Sequence, residues 1–305
     1  MILLQKNQPV LQPSAITIGM FDGLHLGHQK LLSALAAQKD LTHIVCTFEP
    51  LKTDGVLLTP AEKTAMLRKF SPDYASVRSF TPEFLRITRE DYLLSLVKNY
   101  NMKQIICGQD FRFGYQAQGD VDYLISMGKR YDFSVHVVED EYYRGEKISS
   151  TRIRACLLRG DAQAAGQMLG KLYSMSGCVM QGKHLGRKLD FPTLNITDQK
   201  LIPRFGVYAT ITEINGALYN GITNVGKRPT VEVDGKTNVE THLFSFSGDL
   251  YNQHIRVYFV QHIRDEQTFE SKEALSCQVH SDFITAKKIL ADKNVYKDIK
   301  MWYDT

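Results

Sequence analysis

The order of strand-like and helix-like segments constrains the fold of this chain more than any other feature. From residue 15 to about residue 160, short runs rich in β-branched residues, such as AITI, HIVCTF and QIIC, alternate with segments whose apolar residues recur at helical spacing. Strict alternation of strand and helix is typical of a mostly parallel sheet with helices on both faces. The first domain, residues 1–169, is therefore predicted to be of the α/β class.

The pattern changes to strands alone after about residue 170. Segments such as GVYATITEI, LYNGITNVG and HIRVYFVQHI are separated by Gly, Pro, Asn and Asp at the spacing expected of an antiparallel barrel or sandwich. Helices are predicted from SKEALSCQVHSDFITAKKIL and from the tail that follows it. The second domain, residues 170–305, is therefore predicted to be antiparallel β with a terminal helix.

Composition limits the class of protein. A length of 305 residues with 43% hydrophobic and 23% charged residues fits two soluble globular domains. The net charge of +4 is spread along the chain and gives no reason to expect a nucleic acid partner. No apolar run approaches the length of a membrane span, and no obligate protein partner is implied. A cytoplasmic protein acting on small molecules is predicted.

Five isolated cysteines support a reducing compartment. They form no CxxC pair and have no companion histidines at zinc spacing. Buried thiols without a catalytic or metal-binding part are expected at Cys46, Cys107, Cys156, Cys178 and Cys277.

The stretch GMFDGLHLGH, residues 19–28, lies where the first strand of the parallel sheet turns into a helix. Free backbone N–H groups and the helix dipole favour an anion at such a turn. His25 and His28 are three residues apart, so both imidazoles can point at one bound group and stabilise charge during phosphoryl or nucleotidyl transfer. The alternative is one buried core histidine and one surface histidine.

Two more motifs belong to the first half of the chain. GQDFRFG, residues 108–114, directly follows the strand QIIC, and its aromatic residues could face a flat ligand or simply pack on the sheet. KISSTRIR, residues 147–154, combines hydroxyl groups with arginines that could bind phosphate, or it could be an ordinary capped surface helix.

These three motifs together resemble the adenylyltransferase module of bacterial bifunctional riboflavin kinase/FAD synthetases. The resemblance implies a Rossmann-like nucleotidyltransferase domain in which catalysis falls to His25, His28 and Arg154. It implies that ATP and its phosphates are bound by Gly19, Phe21, Asp22, Gly23, Gly27, Ser150, Thr151 and Arg152. It also implies a flavin and nucleotide pocket formed by Asp110, Phe111 and Phe113.

The stretch GKHLGRKLDFPTLNI, residues 182–196, resembles the flavokinase motif GxxxGRxxGFPTxN, with Asp190 where glycine is usual. The resemblance implies an antiparallel flavokinase β-barrel that binds ATP phosphates through Gly182, Lys183, Gly186, Arg187 and Thr193. It implies Mg²⁺ ligands at Thr193 and Asn195, whose oxygens suit this hard cation. Glu240, in ETHLF, is expected to be the general base that takes the proton of the ribityl 5′-hydroxyl. Without the resemblance, these segments could be a polar hairpin and an exposed glutamate.

The resemblance implies a bifunctional enzyme of flavin cofactor biosynthesis. The kinase would phosphorylate riboflavin to FMN with ATP and Mg²⁺, and the adenylyltransferase would convert FMN to FAD with release of pyrophosphate. Flavins would be substrates and products, and the partners would be the small molecules riboflavin, FMN, ATP and FAD. Two alternatives stay open: a flavokinase with an inactive nucleotide-binding N-terminal domain, and a non-catalytic flavin or nucleotide sensor. The presence of His25, His28 and Glu240 favours turnover.

Overall fold

The computed structural model of the protein describes residues 1–5, 8–50, 55–180, 193–227 and 237–303. These residues form two compact units, Met1–Ser149 and Ser150–Thr305. The predicted domain boundary between residues 169 and 170 falls inside the second unit and stays a prediction.

A six-stranded parallel sheet forms the centre of the first unit. Its strands follow the order β1-β4-β3-β2-β5-β6, and every neighbouring pair is parallel. Five strands were predicted from the alternating pattern, whereas β1 has only two residues and therefore carries no periodicity. The strands are β1 Ile2–Leu3, β2 Ser14–Ile18, β3 Thr42–Phe48, β4 Tyr74–Arg78, β5 Met102–Gly108 and β6 Ser134–Val138.

Helices connect these strands, and their first turns are closed by side chains that the sequence identifies. Thr59 forms a capping box with Glu62, with Pro60 in the first turn, and Thr88 accepts a hydrogen bond from the backbone of Asp91. The helices are α1 Leu26–Ala36, α2 Pro60–Arg68, α3 Pro82–Leu85, α4 Arg89–Tyr100 and α5 Val121–Tyr131. A small hairpin of β7 Tyr142–Tyr143 and β8 Glu146–Lys147 follows β6.

The strand order reverses at β2, which pairs with β3 on one side and β5 on the other. In open parallel sheets, ligands bind in the crevice at the carboxyl end of such a strand. GMFDGLHLGH follows β2 and GQDFRFG begins at the end of β5. The two motifs therefore leave neighbouring strands at the same edge of the sheet.

The second unit begins with α6 Ser150–Arg159 and α7 Ala162–Leu169 and continues as an antiparallel sheet. The strand order is β10-β13-β12-β11-β14-β9. The sheet curls so that the backbone N–H of Met180, just after β9, donates to the carbonyl of Asn195 in β10 at 2.9 Å. The strands are β9 Tyr173–Cys178, β10 Leu194–Ile196, β11 Gly206–Ile214, β12 Ala217–Lys227, β13 Thr237–Leu243 and β14 His254–Arg264.

The two faces of this sheet have different partners. One face carries a ladder of buried hydroxyl groups, in which Thr223 bonds to both Thr210 and Thr241. The other face packs its apolar residues against the helices α8 Lys272–Leu290 and α9 Asn294–Tyr303. The predicted tail helix is thus confirmed, and its Trp302 donates to the carbonyl of Gly170 at 2.8 Å.

No helix in the described ranges has the length and apolarity needed to cross a membrane.

Candidate active sites

The loop after β2 has an unusual backbone conformation. Phe21, Gly23 and Leu24 have φ angles of 51°, 82° and 45°, which lie in the left-handed region. The ring of Phe21 is fully buried beneath the loop, and a Cβ at Gly19 would lie 3.2 Å from it. Gly19 is therefore constrained by the packing of Phe21. Because its ring is buried, Phe21 can contact a ligand only through its backbone.

The two histidines of the motif lie together at the start of α1. His25 is the N-cap residue, and its Nδ1 accepts from the backbone N–H of His28 at 3.4 Å. The imidazole rings stack with centroids 3.6 Å apart, and Phe21 meets His28 edge-on at 5.2 Å. Because Nδ1 of His25 is an acceptor, its proton in the neutral form is on Nε2. A Cβ at Gly27 would approach the His25 ring at 3.3 Å, so a side chain there would crowd the pair.

Asp22 and a lysine that the sequence analysis missed brace this loop. The Asp22 carboxylate accepts from the backbone N–H groups of Leu57 and Leu58 at 2.9 and 3.1 Å. Lys63, in α2, is buried, and burial lowers the pKa of its ammonium group. One signal could have revealed it, because Lys63 occupies the same helical stripe as the buried Met66 and Leu67.

The GQDFRFG residues divide between the surface and the core. Asp110 is exposed and forms an ion pair with Nζ of Lys147 at 2.7 Å. Phe111 is half-buried and stacks on Phe113 with centroids 5.5 Å apart. Phe113 itself belongs to the hydrophobic core and contacts Tyr92 at a centroid distance of 6.0 Å. Of the two rings, Phe111 is therefore better placed to meet a ligand, and the pocket role of all three predicted residues stays a prediction.

A cavity of about 180 Å³ lies between the carboxyl ends of β3 and β4 and the helices α3 and α4. Phe48, Phe84 and Tyr92 form its aromatic part. Its polar part contains Arg78, whose guanidinium donates to the hydroxyl of Tyr100 at 3.1 Å. The sequence analysis did not find this cavity, because its walls come from strands and helices that are distant along the chain.

The last five residues of the ISSTRIR motif, 150–154, form the start of α6 and of the second unit, whereas Ile148 and Ser149 end the first unit. Ile153 is fully buried and anchors the helix, while Arg152 and Arg154 on either side of it are partly exposed. The predicted phosphate-binding roles of Ser150, Thr151, Arg152 and Arg154 stay predictions.

The second unit contains a cavity of about 460 Å³ between its sheet and α8. Glu240 lines this cavity and lies directly opposite Asn195 in β10 and Asn224 in β12. Directly opposed residues of an antiparallel sheet share a face, so the three polar residues form a row. Asn238 donates to Oε1 of Glu240 at 2.6 Å, and Thr193 lines the same cavity.

The remainder of this cavity combines apolar residues with a buried ion pair. Phe283 of α8 stacks on His242 at a centroid distance of 5.0 Å. Arg264 donates to both carboxylate oxygens of Asp282, which is 2% exposed. The sequence predicted the apolar stripe of α8, which places Leu275 and Val279 in the cavity wall, but not the ion pair. The predicted phosphate-binding residues Gly182, Lys183, Gly186 and Arg187 lie outside the described residues.

The five cysteines differ in burial. Burial raises the pKa of Cys46 to about 12 and that of Cys107 to about 11, so these thiols stay protonated. Cys156 is also buried, whereas Cys178 and Cys277 are exposed, so the expectation of buried thiols is wrong for these two. Within the part of the chain that the structure describes, no group of three or more His, Cys, Asp or Glu side chains could hold a metal ion.

Fold and sites together define a class of protein: a nucleotide-dependent transferase with two different folds on one chain. Two family models match, FAD synthetase over residues 7–152 and riboflavin kinase over residues 169–290. The chain belongs to the family of bifunctional riboflavin kinase/FMN adenylyltransferases.

Named members of this family match nearly the whole chain. The protein of Buchnera aphidicola subsp. Schizaphis graminum is 36% identical, with 90% of this chain and 93% of the relative covered. The protein of Haemophilus influenzae is also 36% identical, over 93% of this chain and 96% of the relative. The protein of Escherichia coli K12 is 33% identical, over 92% and 94%.

A crystal structure of a Streptococcus pneumoniae protein shares the fold. It is 31% identical, has a TM-score of 0.85, and covers 94% of this chain and 99% of its own. That protein is named as a macrolide-efflux protein, which is a description of it and not of the present chain.

Proposed function

We propose that this protein phosphorylates riboflavin to FMN in its second unit and transfers an adenylyl group to FMN, giving FAD and pyrophosphate, with the motifs of its first half. The observation that carries this proposal is the stacked pair of His25 and His28 at the N-terminus of α1. The matches to both family models over nearly the whole chain support it.

In the kinase reaction, Glu240 is the candidate base. Its position in the polar row with Asn195 and Asn224 fixes the carboxylate at the cavity wall. The carboxylate accepts the proton of the ribityl 5′-hydroxyl while that oxygen forms a bond to the γ-phosphorus of ATP and ADP leaves. The apolar cavity wall with Phe269 and Phe283 suits the flavin ring.

Mg²⁺ would accompany ATP in this unit. Thr193 and Asn195 supply a hydroxyl and an amide oxygen close to Glu240, and hard oxygen donors of this kind suit Mg²⁺, which usually keeps several waters and the phosphates of its substrate as ligands. The bound ion would neutralise charge on the transferring phosphate. The predicted loop residues Gly182, Lys183, Gly186 and Arg187 would hold the polyphosphate.

In the adenylyl transfer, a phosphate oxygen of FMN attacks the α-phosphorus of ATP and pyrophosphate leaves, with no covalent enzyme intermediate. The imidazoles of His25 and His28 donate to the α-phosphate as its charge develops. The left-handed turn at Gly23 brings the backbone close to the phosphates. The motif ISSTRIR keeps its predicted part in phosphate binding, which the FAD synthetase model supports because it extends to residue 152.

The flavin ring of FMN would use the aromatic cavity beside β3 and β4. Phe48 and Tyr92 line this cavity, and Tyr92 contacts Phe113 of the GQDFRFG motif. We therefore extend the proposed flavin pocket from Phe111 and Phe113 to residues that are distant along the chain. A cytoplasmic location is kept as a prediction from the sequence.

The test is to incubate the purified full chain with riboflavin, ATP and Mg²⁺ and to separate the flavins by chromatography. FMN followed by FAD is the expected result. FMN without FAD would support a flavokinase with an inactive first unit. Tight flavin binding without either product would support a sensor and contradict the proposed function.

A further inference from the structure

Lys63 binds two segments that Thr47 also joins, through a hydrogen bond from its hydroxyl to the carbonyl of Met20 at 3.2 Å. Its Nζ donates to the carbonyl of Phe48 at 2.6 Å, to the carbonyl of Met20 at 3.2 Å and to the hydroxyl of Thr47 at 3.2 Å. Thr47 and Phe48 end β3, whereas Met20 belongs to the loop that carries the histidines. Three oxygen acceptors match the three N–H groups of an ammonium, so the contacts select the charged form.

The hydrogen bonds of Lys63 form one half of a brace between the loop and α2, and those of Asp22 form the other half. Lys63 reaches from α2 to the loop at Met20, and Asp22 of that loop reaches back to the backbone N–H groups of Leu57 and Leu58, just before α2. Asp22 and Glu49 are the acidic groups whose charges favour the ammonium form of Lys63 and oppose the effect of burial. The loop is therefore fixed to α2 and to the segment just before it by two sets of polar contacts.

The same lysine also holds one wall of the aromatic cavity. The ring of Phe48 lines that cavity, and the carbonyl of Phe48 is the nearest acceptor of Lys63. The lysine thus joins the cavity wall to the loop that precedes His25. A change at Lys63 would alter the spacing between them without touching a side chain that either site presents.

We propose that Lys63 is a positioning residue for adenylyl transfer, which sets the distance between the ATP-binding loop and the cavity that holds the flavin of FMN. This inference rests on the proposed function. Misplacing reacting groups by about 1 Å can cost about 100-fold in rate, even when both substrates still bind. Arginine would not replace the lysine, because a planar guanidinium cannot direct three donors from one point.

The experiment compares Lys63→Met with Lys69→Met in the full chain. Lys69 is exposed at the end of the same helix, so the control removes the same charge from α2 without touching the brace. Steady-state conversion of FMN and ATP to FAD is measured for both variants, and thermal unfolding and circular dichroism check that each is folded. We expect kcat of Lys63→Met to fall about 100-fold with both KM values within about threefold, and Lys69→Met to match the wild type.

A second variant keeps the proposal testable if Lys63→Met does not fold. Thr47→Val keeps the shape of the side chain but removes one acceptor of Lys63 and also the hydrogen bond that the Thr47 hydroxyl donates to the carbonyl of Met20, so kcat should fall about fivefold with KM unchanged. An unchanged kcat in a folded Lys63→Met variant, or an effect on KM alone, would overturn the positioning role. If Lys63→Met is unfolded, an unchanged kcat in Thr47→Val overturns it. A wild-type chain that forms no FAD would contradict the proposed function itself, and the positioning role with it.

Discussion

The two candidate sites hold their polar residues by different means. In the first unit, His25 and His28 are placed by a left-handed turn, a helix N-terminus and polar braces from another helix. In the second unit, Glu240 is placed by strand register, with asparagines directly opposite on both sides. A turn depends on a few local contacts, whereas register is shared along whole strands. The first site should therefore respond to changes in distant braces more than the second.

The largest expected effect is the loss of the base at the register-held site. Glu240→Gln keeps the shape and removes the carboxylate, so FMN formation should fall by about 100-fold to 10,000-fold. Conversion of supplied FMN to FAD should continue at the wild-type rate, as measured by chromatography of the flavins. Glu266→Gln, at another position in the wall of the same cavity, is the control and should have a much smaller effect. Equal losses in both variants would show that cavity charge, and not the position of Glu240, matters.

The corresponding change at the turn-held site is His28→Ala. It removes one imidazole from the stacked pair, so FAD formation should fall by about 100-fold to 1,000-fold while FMN accumulates from riboflavin. His43→Ala serves as the control, since His43 lies near the opposite end of the parallel strands and binds the carbonyl of Gln38. Normal FAD formation by His28→Ala would contradict a role of the histidine pair in the adenylyl transfer.

Local signals were sufficient to predict five of the six strands in the sheet of the first unit and the position of its histidines at a strand-to-helix turn. Alternation of strand and helix is a local signal, and so are the residues that form the capping box at Thr59 and the cap at Thr88 in the structure. Glu240 could be proposed only from a resemblance, because nothing local distinguishes it from an exposed glutamate on a strand.

The missed residues share a physical reason. Lys63 lies in α2, whereas the oxygens that accept its hydrogen bonds lie in β3 and in the loop after β2. Arg264 meets Asp282 only because α8 packs on the sheet. Such contacts depend on tertiary packing, which periodicity does not encode. One local signal marks Lys63, because it is a charged residue in an otherwise apolar stripe of its helix.

Replacing the aromatic residues of GQDFRFG should have effects of intermediate size on stability and on KM. Phe113→Ala should reduce the free energy of unfolding by about 3 to 5 kcal/mol, because its ring is buried in the core of the first unit. Phe111→Ala should reduce the free energy of unfolding by less than Phe113→Ala does and raise KM for FMN in the adenylyl transfer about tenfold, because its half-buried ring can contact a ligand. Chemical denaturation and steady-state kinetics separate the two effects. The opposite pattern would exchange their roles.

The smallest expected effect is the pH dependence of folding stability in the second unit. His262 in β14 packs edge-on against Tyr208 at a centroid distance of 4.9 Å, and burial lowers the pKa of its imidazole below the ordinary value of 6.5. Just below pH 6.5 the unfolded chain therefore binds a proton that the folded unit does not. Folding stability is full above this value and decreases as the pH falls toward the lowered pKa.

Trp302 makes this decrease measurable, because it is the single tryptophan of the chain and lies in α9 of the second unit. The denaturant concentration at the midpoint of unfolding, observed by the fluorescence of Trp302, should decrease as the pH falls below about 6.5, where an unshifted histidine would contribute no change. His262→Gln removes the titrating group and should flatten this dependence, whereas His254→Gln, an exposed residue at the start of the same strand, should keep it. If the pH dependence remained in His262→Gln, the acid sensitivity would belong to another titrating group of the second unit and not to the partly buried imidazole of His262.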